Sequence, residues 1–133
     1  MLDIRFIREH ADIVKEAARK KRVDVDVDRL LAVDDDRKRL GQEVEGKRAE
    51  QNKASKLIAL AKGDEREKLI EAMQQLKKGM ADAEDALGKV MEEWQKLMLM
   101  IPNVPDMTVP EGESDADNQE VKKWGTPTSF SFV

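Results

Sequence analysis

The sequence predicts an all-α protein built on a long antiparallel two-helix coiled coil, a helical hairpin with a short N-terminal helix at its base and an irregular C-terminal tail. Three observations carry this. Apolar residues recur at steps of three and four along two successive stretches of more than thirty residues, the signature of a heptad seam. A Gly-Asp break of only a few residues separates the two stretches, and so short a connection forces neighbouring helices to run antiparallel. Charged residues make up 39% of the 133 and aromatics only 4%, with no tyrosine. That balance suits long helices that bury one narrow stripe rather than a compact two-layer core.

Taken in order, Asp3 is placed to cap a first helix. Ile4, Ile7, Ala11, Val14 and Ala18 continue it as one stripe through about Lys21. "RVDVDVD" alternates like a strand but is short and has no evident partner, so it reads as a connector. A long helix is expected from near Asp28, with Leu30, Val33, Arg37, Leu40, Val44, Lys47, Gln51, Ala54 and Ile58 on its seam. Three of those nine are polar, two of them in the distal half, so the seam weakens outward.

"LAKGDEREKL" then reads as stop and restart: Gly63 closes one helix in the left-handed conformation, and Asp64 with Glu67 caps the next. The return helix places Leu69, Met73, Leu76, Met80, Ala83, Leu87, Val90, Trp94, Leu97 and Ile101 on its seam, and all are apolar. Pro102 ends it, having no N–H and biasing Ile101 away from helix. About 32 residues per helix corresponds to a rod of ~50 Å. Residues 1–102 therefore form the helical unit and 103–133 a tail in which little regular structure is expected beyond Val109. Gly41, Gly46, Gly79 and Gly88 lie inside the long helices, each costing ~1 kcal/mol relative to alanine.

The absence of cysteine excludes disulfides and thiolate metal sites and fits a reducing compartment. Charges at Asp3, Arg5, Arg8 and Glu9 argue against a signal peptide. The longest apolar run, "LMLMI", is far short of a membrane span, so a soluble cytoplasmic protein with no membrane partner is expected. No phosphate-binding glycine loop, HExxH, CxxC or GxSxG occurs. His10 has no recognisable catalytic partner. Asp34, Asp35 and Asp36 point in different directions on a helix and cannot converge on one ion, so they read as a solvated face. No active site, metal or cofactor is expected within these residues. Met73, Met80 and Trp94 read as seam packing. Trp124, in a polar tail, either folds back on the base or awaits a partner outside the chain.

The net charge of −4 is unevenly spread. Residues 1–23 hold seven basic against four acidic side chains, and 47–62 hold five basic against Glu50 alone. Residues 103–133 hold six acidic side chains against Lys122 and Lys123. A solvated coiled-coil face is the ordinary reading of "KRAEQNKASKLIALAK", and polyanion binding the sharper one. Two features favour the sharper reading: Arg48, Lys53 and Lys56 sit outside the seam, and the segment lies toward the tip of the hairpin.

Three stretches resemble the N-terminal arm of seryl-tRNA synthetases: the opening "MLDIRFIREHADIVKEAARKK", the segment "RAEQNKASK", and the tail. The tail carries Ile-Pro-Asn-x-Pro, Val-Pro-x-Gly, Asp-Asn-x-Glu-Val and Trp-Gly-x-Pro in the family's order. The resemblance covers essentially the whole chain. It implies an arm that grips the long variable arm of serine tRNA by shape and phosphate recognition. Arg48, Lys53, Lys56 and Lys62 would contact phosphates, Asn52 and Ser55 ribose or backbone oxygens, and Lys77 and Lys78 would be secondary. It further implies a parent enzyme, homodimeric, that joins serine to its tRNA with ATP and Mg in a class II catalytic domain beginning about where "TSFSFV" ends. The separate arm, its seam satisfied within one chain, is expected to be monomeric, with RNA and not DNA as partner. Gln51 departs from the family's usual arginine, removing one cation from the gripping segment. The competing reading is a coiled-coil interaction or chaperone-like module without RNA binding, which explains the heptads but not the tail.

Overall fold

The computed structural model describes residues 2–126 and 128–130. Four α-helices follow one another: α1 (Ile4–Glu9), α2 (Ala11–Lys20), α3 (Val27–Leu60) and α4 (Asp64–Met100), with a single 3-10 turn at Asp115–Asp117. No strand occurs among the described residues. The hairpin is formed by α3 and α4, which pair along their length. Every seam position expected from the sequence is buried or half-buried, whereas most positions between them are exposed.

The N-terminal stripe folds as two helices rather than one. Asp3 caps α1, accepting from the Arg5 N–H at 2.7 Å. At His10 the backbone turns to φ −129°, ψ 42°, outside helical geometry, and the Phe6 and His10 rings pack 4.7 Å apart. The break is a kink, since the His10 N–H still reaches the Phe6 carbonyl and the Val14 N–H the His10 carbonyl. Ile7 of α1 and Val14 of α2 are both fully buried in one core.

In the connector, Val25 packs against this core and Val27 is buried, while Asp24 and Asp26 face water. The alternation is therefore that of an extended segment laid over a core, with no partner strand among the described residues. The cap of α3 is Asp26, whose Oδ1 accepts from the Arg29 N–H at 2.8 Å, two residues earlier than the expected start at Asp28. Val27 is thereby brought into the helix as a buried residue. The distal turn also differs from expectation. The C-cap of α3 is Ala61, not Gly63, and Gly63 occupies the N-cap position of α4 with φ 58°, ψ −142°. Asp64 is the first helical residue and makes no capping bond. The acidic first turn of Asp64, Glu65 and Glu67 instead meets the positive end of the helix dipole.

The core lies at the base of the hairpin. Ile7, Val14, Val27, Leu30, Met98 and Ile101 form its buried centre. The reading of Asp34 as part of a solvated face is overturned: its side chain is fully buried. It accepts from Arg8 at 2.9 Å, Arg37 at 2.8 Å and Lys38 at 2.9 Å, while Asp35 and Asp36 remain exposed. Arg8 also reaches Asp35 at 2.6 Å, and the Arg37 guanidinium lies 4.9 Å from the Trp94 ring centre. One buried carboxylate thus links α1 and α3, and Arg37 carries the link to α4. Burial alone raises a carboxyl pKa, but the bonds from Lys38, Arg37 and Arg8 prevail and lower it from 3.8 to about 2.

The tail returns along α2. Glu111 pairs with Arg19 at 2.9 Å and Lys20 at 3.7 Å, and Glu113 with Arg22 at 3.1 Å. Trp124 does not fold back; it is 91% exposed. Pro127 of the Trp-Gly-x-Pro stretch, and the last three residues of "TSFSFV", among them Phe132, lie outside the described residues.

Two outcomes follow for stability. Because the folded Asp34 pKa lies below its unfolded value, its contribution is complete above about pH 4 and is lost as pH falls toward 2. Asp34→Asn should cost on the order of 2 kcal/mol at neutral pH and flatten the acid limb of a pH–stability curve measured by urea unfolding. In the second, an added Cβ at Gly46 or Gly88 meets nothing within 4 Å, so Gly46→Ala and Gly88→Ala should each stabilise by up to ~1 kcal/mol in the same assay.

Candidate nucleic-acid interface

Helical periodicity distributes the expected contact residues over two adjoining surfaces of α3. Positions 41, 45, 48, 52, 55 and 59 step by four and three, so Arg48, Asn52 and Ser55 form one ladder beside the seam. Lys53 and Lys56, three apart, share the neighbouring outward face, and Lys56 lies one turn beyond Asn52. On α4 the facing ladder steps through 77, 81, 84, 88 and 91. The two ladders meet along a shallow groove lined by Gly41, Glu45, Arg48, Glu84, Gly88 and Met91. Lys77 therefore lies on the same flank as Arg48, whereas Lys78 is turned about 100° away around the helix. Lys62 sits in the distal turn between α3 and α4.

All eight of these residues are exposed. They differ in what holds them. Arg48 is engaged across the hairpin, its Nη2 donating to Glu84 Oε1 at 2.8 Å. Lys53, Lys56, Lys62, Lys77 and Lys78 make no ion pair or hydrogen bond among the described residues. Their ammonium groups are thus available to an external anion without displacing an internal one. Asn52 and Ser55, beside them, likewise keep free hydrogen-bonding groups toward solvent.

The seam itself absorbs the remaining cations of the region. Lys47 bridges Glu43 at 2.7 Å and donates to the Gly79 carbonyl at 2.9 Å. The bond from Lys47 holds the Glu43 carboxyl below its usual range. A Cβ at Gly79 would lie 3.8 Å from the Lys47 Nζ, an ordinary van der Waals contact that leaves the ammonium in place. Gln51 is half-buried on the seam, not on the contact ladder. The sequence reasoning missed Glu84 as the partner of Arg48, and Arg66 and Lys68, two further exposed cations at the start of α4. The pairing of Glu84 needs the register between α3 and α4; the signal for Arg66 and Lys68 was masked by three neighbouring carboxylates.

No group of three or more His, Asp or Glu side chains that could hold a metal ion is found among the described residues. His10 is exposed and its ring rests on Phe6. Among the described residues, no helix is long and apolar enough to cross a membrane. What this surface offers is a helical rod carrying cations, amide and hydroxyl groups on contiguous faces, unpaired among the described residues save Arg48.

The family model described as the Seryl-tRNA synthetase N-terminal domain matches residues 1–105. A serine--tRNA ligase of Pseudothermotoga lettingae is 38% identical over 99% of this chain and 32% of its own length. One from Thermomicrobium roseum is 41% identical, over 99% of this chain and 30% of its own. One from Cellvibrio japonicus is 37% identical over 99% and 31%. The chain thus spans about a third of the length of the curated relatives it matches.

The Arg48–Glu84 pair is exposed at both ends, 61% and 40%, and such pairs contribute little. A double-mutant cycle with alanine at both positions should give a coupling energy of no more than about 1 kcal/mol. A substantially larger coupling would mark Arg48 as a structural strut and remove it from the interface.

Proposed function

The chain belongs to the Seryl-tRNA synthetase N-terminal domain family, and on that premise we propose that it is a tRNA-binding arm that grips the long variable arm of serine tRNA. The observation that carries the reading is the set of partnerless cations, Lys53, Lys56, Lys62 and Lys77, gathered on the distal half of a rod whose seam is otherwise closed. In the whole protein the arm serves the ATP- and Mg-dependent joining of serine to serine tRNA, in a homodimeric cytoplasmic ligase. That the relatives are serine--tRNA ligases supports the joining of serine to tRNA.

The physics favours shape over sequence. A-form RNA hides its base edges in a deep, narrow major groove, so a helical rod reads phosphates, 2′-hydroxyls and groove spacing. Lys53, Lys56 and Lys62 supply phosphate contacts at once. Arg48 joins them by exchanging Glu84 for a phosphate, at the small cost of one exposed pair. Asn52 and Ser55 reach ribose or backbone oxygens from the adjoining ladder. Lys77 extends the same flank onto α4, and Lys78 takes the outer edge.

With about four phosphates neutralised, log affinity should fall with log salt at a slope of roughly −3 to −4. In a gel shift, serine tRNA should bind and the same tRNA without its variable arm should bind much more weakly. Changing Arg48, Lys53 and Lys56 together to alanine should abolish most binding and leave helicity by circular dichroism intact. Equal binding of both tRNAs would reduce the interaction to unspecific charge attraction. Absence of binding at low salt would favour a coiled-coil interaction module instead.

A further inference from the structure

The extreme end of the hairpin carries apolar surface that the seam does not use. Leu60, the last residue of α3, is 80% exposed, Leu57 is 55% exposed and Ile70 is 38% exposed. Leu57, Leu60, Ala61, Glu65 and Leu69 line one shallow concavity there. Single exposed leucines are ordinary on protein surfaces, but Leu57 and Leu60 share one concavity, together with Glu65, at the tip of a projecting rod, where adjoining apolar side chains can serve a contact. Ile58 and Leu69, the seam residues at this level, are half-buried, so the hairpin closes without Leu60.

Around the concavity stand Lys56, Lys62, Arg66 and Lys68, all exposed and none in an ion pair among the described residues. Asp64, Glu65 and Glu67 lie between them, in the first turn of α4, where the helix dipole partly offsets their charge. An occupant must offer a flat apolar face and negative charge on either side of it. In folded RNA, a terminal or unstacked base offers an apolar face with its own flanking phosphates.

Resting on the RNA-binding reading above, we infer that the tip is an apolar platform for an exposed nucleobase, with Leu57 and Leu60 packing on the base face and Lys56 and Lys62 holding the adjacent phosphates. The arm then recognises its tRNA at two places by two mechanisms. Charge along the shaft reads the duplex, and aliphatic contact at the tip reads a base that the tRNA fold leaves unstacked.

Salt dependence separates the two mechanisms, because losing an apolar contact changes affinity without changing the number of counterions released. Fluorescence anisotropy with labelled serine tRNA over a series of salt concentrations should show Leu60→Ser binding about tenfold more weakly, the order expected from one buried leucine, with an unchanged slope. Leu60→Met should retain binding, and Lys62→Ala should give a shallower slope. The melting temperature of Leu60→Ser should match that of the unaltered chain. Wild-type affinity for Leu60→Ser, with the unaltered chain binding well, overturns the platform and leaves the RNA-binding reading standing. Failure of the unaltered chain to bind overturns both. A concentration-dependent dimer in sedimentation equilibrium that Leu60→Ser abolishes would assign the patch to a second copy and overturn the inference.

Discussion

Burial of one apolar stripe between two antiparallel helices is the constraint on which the rest of this molecule depends. A pair of helices in water has only its mutual seam to oppose the loss of chain entropy, so the seam must run unbroken for the full length. The α4 side meets that demand with apolar residues throughout. The α3 side does not, and its polar members are accommodated individually. Arg37 lies over Trp94 and binds Asp34, and Lys47 spans to the Gly79 carbonyl. Polar groups placed this way cost stability but fix which residues face each other. At the base the narrow seam widens into a core shared with α1, α2 and the connector.

The base and the shaft divide the charge of the protein between them. Near the base, charges are consumed internally: Arg8, Arg37 and Lys38 converge on Asp34, and Arg19, Lys20 and Arg22 hold the acidic tail. Toward the tip, Lys53, Lys56, Lys62, Lys77 and Lys78 make no ion pair among the described residues. The net charge of −4 therefore says little about how the surface meets a polyanion. An RNA approaching the shaft meets cations that need not break an existing bond, save at Arg48, while the acidic tail sits on α2 at the other end. Long-range repulsion from that tail is screened over about 10 Å at moderate salt, well short of the length of the rod.

The two long helices were legible because a heptad repeat is a local, periodic signal and because proline and glycine punctuate its ends. Residues whose roles depend on distant partners were not. Asp34 sits in a run of three aspartates that looks solvated, and its burial is decided by Arg8, 26 residues earlier. The kink at His10 was invisible to a stripe that continues in phase on both sides of it. The capping role of Gly63 depended on where α3 ended, and its C-cap, Ala61, lies two residues before the glycine. Of the interface, the cations and their place outside the seam could be read from spacing. The Arg48–Glu84 pair could not, because it requires the register between the two helices, which neither helix encodes alone.

The intramolecular hairpin is the central claim, and the absence of cysteine from the sequence makes it directly measurable. Cysteines introduced at the exposed positions 53 and 78 can carry spin labels, and their separation can be measured by pulsed electron resonance in a large excess of unlabelled chain. Helices packed at ~8–10 Å between axes, with label arms added, predict one narrow distribution centred at roughly 20–30 Å, unaffected by the unlabelled protein. A broad distribution, or a short distance that vanishes on dilution with unlabelled chain, would contradict the account by showing that α3 and α4 are unpaired or pair between molecules.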